Sequence, residues 1–195
     1  MDTIGLAVRE APTSYRRRIL ALHGLGLGLG ALVVGLVLVL VNAALSQAGG
    51  GTAVRYALVA LGVGWAISAL GAPGLPFPRR RWQVPEQWRF TMPLEAMLVS
   101  YGVLLGVGFL TDVVLPAFWM FVLVCGFLAS PAVIVPAWLL YAGTRFVALV
   151  LWLRSSGEDS LESRFVGWRP FAAGANALVL LTLSAWVFFT SKGGI

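Results

Sequence analysis

Reactive side chains are scarce in this sequence. Its 195 residues include one cysteine, Cys125, and one histidine, His23. A lone cysteine cannot close an internal disulfide, and one histidine with one cysteine cannot supply a structural zinc set. Inside an apolar run, such a cysteine reads as a small buried hydrophobe. Charge is scarce too, at 11% of residues, where a soluble domain carries about 25%. No Ser–His–Asp arrangement or paired-carboxylate arrangement stands out, so no catalytic residue, cofactor or metal is expected and the chain does not read as an enzyme.

What is present is hydrocarbon. The chain is 59% hydrophobic and its mean hydropathy is +0.88. A fold this apolar lacks the polar surface that water requires. The fold class is therefore all-α, a polytopic bundle of transmembrane helices in a plasma or inner membrane. A span needs roughly 20 apolar residues for a core about 30 Å thick. Six are predicted, near 19–45, 54–72, 94–111, 114–130, 132–153 and 171–190, flanked by a basic N-terminal segment 1–18 and a tail 191–195. Ser130-Pro131 divides the long run Val113–Leu153, because proline disfavours a helical residue before it. Five spans, with 113–153 partly re-entrant, is the alternative. The apolar stretch Ile19–Leu45 is too long for a signal-peptide core of about 7–15 residues, so it reads as an uncleaved first span.

The net charge of +6 comes from arginines beside the spans. They read as topology determinants, not as a nucleic-acid surface. With six spans and the N-terminus inside, the inner segments hold Arg9, Arg16, Arg17, Arg18, Arg79, Arg80, Arg81, Arg89 and Lys192. The outer segments hold Arg55, Arg154, Arg164 and Arg169. Nine against four places both termini in the cytoplasm. The inner loop Gly71–Pro93 mixes Arg79, Arg80, Arg81, Trp82, Trp88 and Arg89, a composition suited to anionic headgroups. In the outer loop Arg154–Pro170, Ser156 and Asp159 form a capping-box pattern ahead of a short surface helix.

Two features within the spans carry the functional question. The first is glycine spacing. Gly24/Gly28, Gly26/Gly30 and Gly102/Gly106 are G-x-x-x-G pairs that let helix backbones approach closely. Packing within the chain is the plainer reading, and a homodimer or a partner membrane protein the other. The second is Arg145, nine residues before Arg154 and so about 13 Å from that end. An intramembrane charge is a functional hypothesis by default. Asp112 is its best-placed partner by sequence, while Tyr101, Thr111, Ser100 and Asn176 either line a cavity with it or bridge helices. A structural lock and a ligand-facing site both fit. His23 sits about one and a half turns beyond Arg18, near the interface.

Gln83-Val84-Pro85-x-x-Trp88-Arg89, Tyr101-Gly102-x-x-Leu105-Gly106-x-Gly108-x-x-Thr111 and Tyr141-Ala142-Gly143-Thr144-Arg145 resemble a family of small multi-span bacterial membrane proteins of the actinobacterial type. That group is distantly similar to the methylamine-utilisation MauE proteins and to the DsbD/CcdA-type thiol-electron carriers. The resemblance covers roughly residues 80–150. It implies six helices arranged as two three-helix halves, 19–111 and 114–190. The CcdA-type relay uses two membrane cysteines, and a chain with only Cys125 cannot run it. Three roles are open: a non-catalytic accessory or assembly component, a small transporter using Arg145 and Asp112, and an accessory to thiol-redox or cytochrome maturation.

Overall fold

The computed structural model describes residues 12–47, 51–73, 75–76, 88–108, 115–155 and 161–192. Among them every regular element is helical. The helices are α1 (Thr13–Gln47), α2 (Gly51–Ala69), α3 (Leu94–Val107), α4 (Pro116–Phe127), α5 (Pro131–Ser155) and α6 (Leu161–Lys192), with a single turn at Trp88–Thr91 before α3. In a hydrocarbon solvent each backbone N–H and C=O must be satisfied within the chain, and the helix does this locally. Three helices are long and apolar enough to cross a membrane: Thr13–Ser46, Thr52–Ala69 and Pro131–Leu151. α3 and α4, with 14 and 12 residues, rise about 21 and 18 Å, well short of a hydrocarbon core. α6 contains a shorter apolar stretch, Ala173–Phe189. The short surface helix expected ahead of the last span is not separate from it, because α6 runs unbroken from Leu161. The capping-box residues Ser156 and Asp159 lie outside the described residues.

The chain forms two compact units that alternate along the sequence, not successive halves divided near Asp112. The first comprises Met1–Val37, Arg80–Asp112 and Val135–Glu158; the second comprises Leu38–Arg79, Val113–Ile134 and Asp159–Ile195.

In the first unit, α1 presents one stripe: Ile19, His23, Leu27, Ala31 and Val34 are buried, while Leu25, Leu29, Leu32, Val33 and Leu36 are exposed. Both faces are apolar, so hydrophobicity does not choose between them. Side-chain size does. Gly26 and Gly30 lie on the buried stripe, and a Cβ on either would strike the α3 backbone at Val99 or Val103. Gly102 and Gly106 return the contact, against the backbones of His23 and Leu27. The pairing advances in step along both helices, from Arg18–Glu95 to Gly30–Val107, so α1 and α3 are parallel. α5 runs the other way. Gly35 of α1 meets Val135 and Trp138, and Gly24 meets the Phe146 ring.

In the second unit, α2, α4 and α6 share a core of Leu58, Trp65, Ala66, Met120, Val124, Ala177, Leu180 and Val187. Gly62 of α2 admits Ser184 of α6 at contact distance, with Met120 of α4 beside them. Gly71, at φ +88°, ends α2, a left-handed conformation that glycine adopts without strain. The chain then folds back. Leu75 covers Gly64, the Trp65 indole donates to the Pro76 carbonyl at 3.2 Å, and the Ser68 hydroxyl lies 3.0 Å from the Leu75 carbonyl.

Candidate functional site

Helix ends govern the polar chemistry of this chain. Each helix leaves up to four amides at its start and four carbonyls at its end without partners. Short helices make this acute when their ends fall in hydrocarbon. At three ends of the short helices α3 and α4 the partner is a side chain from a longer helix.

Arg145 serves the end of α3. Its Nη1 donates to the Leu105 carbonyl at 3.3 Å, and the neighbouring Leu104 carbonyl accepts from Gly108 N–H at 3.3 Å. Gly108 has φ +81°, so the chain leaves the helix in a left-handed turn. The guanidinium also compensates the partial negative charge that gathers at a helix C-terminus. Its position on α5 is held from within that helix. Arg145 lies 5.2 Å from the Tyr141 ring centroid, and Tyr141 stacks on Trp138 at 5.2 Å and 22°. Residues at i, i+3 and i+7 make this column on one helix face. Trp138 is fully buried. The cation–π contact is worth about 0.5–2 kcal/mol, increasing with desolvation. Thr144 points outward, its hydroxyl donating to the Tyr141 carbonyl at 2.7 Å.

Asn176 serves the start of α4. The N-cap position is Leu115, which has no capping side chain of its own, and Pro116 takes the first turn. Asn176 Oδ1 accepts from Ala117 N–H at 3.1 Å, so α6 supplies the cap. Asn42, on the last turns of α1, serves the far end of α4: its Nδ2 donates to the Gly126 carbonyl at 3.2 Å. Both asparagines are buried.

The sequence-predicted residues are thus distributed. Asp112 and Thr111 lie outside the described residues, as do Arg79, Arg80, Arg81 and Trp82. Trp88 is half-buried in the helical turn before α3, and the Arg89 side chain is not described. Asn176 belongs to the second unit and bridges helices there. Tyr101 of α3 faces His23, ring centroids 6.0 Å apart. His23 itself is 5% exposed, and its backbone packs against Gly102 of α3. Gly102 and Gly106 lie in the α1–α3 crossing, but their α1 counterparts are Gly26 and Gly30. The nearest neighbours of a Cβ at Gly24 are atoms of the Phe146 ring, and Gly28 faces open space. Cys125 is buried in α4. Among the described residues no three His, Cys, Asp or Glu side chains form a metal-holding group.

Three contacts escaped the sequence reading. Two are backbone carbonyls, Leu105 as the acceptor for Arg145 and Gly126 as the acceptor for Asn42, since a backbone acceptor has no residue-type signature. The third is Arg18–Glu95 at 3.2 Å, with side chains 66% and 51% exposed.

Comparison with known proteins gives one consistent direction. The chain is 28% identical over 165 residues to the methylamine utilization protein MauF of Paracoccus denitrificans, covering 85% of this chain and 60% of the relative. It is 27% identical over 188 residues to the protein of that name from Methylobacillus flagellatus, covering 90% and 64%. A shorter match, 34% identical over 99 residues, covers 51% of this chain and 35% of the Methylorubrum extorquens MauF. The chain therefore spans less than two thirds of the length of these curated relatives. No family model matches it, and no solved structure matches it significantly. These matches agree with the expected likeness to methylamine-utilisation proteins. They carry the name MauF where the sequence suggested MauE, and they do not bear out the actinobacterial assignment.

Proposed function

We propose that this chain is a non-catalytic accessory component of the plasma membrane that serves a partner protein in amine utilisation, with its N-terminus in the cytoplasm. The observation that carries the reading is the match, over 85% of the chain, to a protein named for methylamine utilisation. The polar side chains within the helices support it. Arg145, Asn176 and Asn42 each engage a helix end, which is the work of a scaffold that holds its own shape. A small transporter is the second reading, because Arg145 is a half-buried cation within the span Pro131–Leu151, and such residues mark substrate paths.

Deleting the gene in its host and growing the strain on methylamine or on ammonium as nitrogen source tests the proposal. Growth should fail on methylamine alone and return with the intact gene. Equal growth on both would refute it. Uptake of labelled methylamine separates the two readings. An accessory component leaves uptake intact and lowers the level or maturation of a co-purifying partner, whereas a transporter loses uptake first.

A further inference from the structure

The two long helices of the first unit each carry their charge toward one end. α1 holds Arg16, Arg17 and Arg18 in its first turns and no Lys, Arg, Asp or Glu from Ile19 to Gln47. α5 has none from Pro131 to Thr144, then Arg145 and, in its last turn, Arg154. Both helices are long and apolar enough to cross a membrane. The six-span order puts these charged ends on opposite sides, with α1 beginning inside and α5 ending outside.

Contacts within the first unit bring the charged ends together. Ile19 of α1 and Leu98 of α3 form a cluster against which Leu149 of α5 packs. Further along α1, Gly24 meets Phe146, and Gly35 meets Val135 and Trp138. The α5 residue numbers fall as those of α1 rise, so the helices are antiparallel and the end of α5 stands beside the start of α1. Glu95 pairs with Arg18 there, so α3 begins at the same face. Arg17 and Arg18 are exposed and Arg16 is half-buried. Arginines from both long helices thus gather at one face, while the opposite ends of α1 and α5 bring no charge to theirs.

Basic residues flanking spans concentrate on the cytoplasmic side. The anionic lipids of that leaflet attract arginines held near the surface, within about a Debye length. We propose that the face formed by the start of α1, the start of α3 and the end of α5 is the cytoplasmic face of this unit and docks on anionic phospholipid headgroups. α5 then runs from the outer side to the inner side. Arg154, an outer residue in the six-span order, joins Arg16, Arg17 and Arg18 inside. Arg145 moves with it into the cytoplasmic leaflet. It is nine residues, about 13 Å, from Arg154, and its neighbour Phe146 meets Gly24, six residues or about 9 Å beyond Arg18. Both distances are shorter than half of a core about 30 Å thick. The inference rests on the cytoplasmic N-terminus of the reading above and is independent of amine utilisation.

Single cysteines in the full chain, in a Cys125→Ser background, test the placement. Ser14→Cys and Ser155→Cys should both react with a membrane-impermeant maleimide only after permeabilisation. Reaction of Ser155→Cys alone in intact cells would restore the six-span direction of α5 and overturn the proposal. Reaction of both in intact cells would put the face outside and overturn its cytoplasmic assignment, whatever the strain's growth on methylamine. A Ser155→Cys thiol silent even after permeabilisation would remove the end of α5 from the aqueous face and overturn it as well. The headgroup contact is read on the purified full chain by tryptophan quenching with brominated phosphatidylglycerol against brominated phosphatidylcholine. Association should favour phosphatidylglycerol several-fold at low salt, and the preference should shrink at high salt and in an Arg16→Gln/Arg17→Gln variant. Equal association of the two lipids with the unsubstituted chain would overturn the docking.

Discussion

Substituting alanine for Gly106 adds one methyl group to a helix face that is already in backbone contact. The new Cβ would meet the Leu27 carbonyl oxygen at well under van der Waals distance, with the Leu27 carbonyl carbon at 2.9 Å and Cα at 3.0 Å. All three are main-chain atoms of α1, so no side-chain rotation relieves the clash and the two helices must separate. Overpacking of this kind costs roughly 1–3 kcal/mol. Separation also weakens the close Cα–H···O contacts such crossings make, at perhaps 0.5–1 kcal/mol each. A loss of 1–2 kcal/mol changes a folded-to-unfolded ratio by about five- to thirtyfold. Gly28→Ala is the control. It adds the same methyl to the other helix of the crossing, α1, and nothing lies within 4 Å of its Cβ position. Unfolding in mixed micelles, followed by tryptophan fluorescence against denaturant fraction, reads both variants. Gly106→Ala should lower the midpoint, and Gly28→Ala should leave it unchanged or raise it, since alanine favours helix over glycine. Equal midpoints for the two variants would refute the parallel α1–α3 crossing as described.

Arg145→Ala should destabilise the fold by about 1–3 kcal/mol, the cost of a part-buried carbonyl left without its donor, and Arg145→Lys by less, because the ammonium keeps the charge but loses the planar fork. The same micelle unfolding measures this. If Asp112→Ala proves equally damaging and non-additive with Arg145→Ala, the carboxylate, and not the helix end, is the main partner. Asn176→Ala should cost about 1–2 kcal/mol, as loss of a helix N-cap does, and should speed hydrogen exchange at Ala117 above all other α4 amides. Glu95→Ala should move stability by no more than about 1 kcal/mol, because exposed ion pairs contribute little; a larger loss would show that the pair does more than its 66% and 51% exposure suggests.

The two intramembrane features legible in the sequence fared differently once contacts were known. The glycine pairs pointed to close helix approach, and Gly102 and Gly106 do lie in the crossing. Yet the sequence contains two interleaved pairs on α1, and nothing in their spacing separates Gly24/Gly28 from Gly26/Gly30. Only the rotation of α1 about its axis does, and that follows from where His23 and Leu27 pack. Arg145 was conspicuous as a charge in an apolar run. Its neighbours Tyr141 and Trp138 sit at helical spacing and so could be found in advance. The Leu105 carbonyl could not, because every residue has one and only the place where α3 stops makes this one available.

Hydropathy is a local property that sums along the chain. For that reason the sequence alone determines that this is a helical membrane protein, where its apolar stretches lie and which side chains would be costly in them. Direction is not local. Whether α5 runs with α1 or against it depends on contacts between residues one hundred or more positions apart, such as Gly35 with Val135 and Gly24 with Phe146. A run of apolar residues reads the same in both directions. The tertiary structure decided which glycines touch, which helix ends need a cap and which polar side chain supplies it, because each of these depends on how helices pair, and pairing has no signature in a single segment.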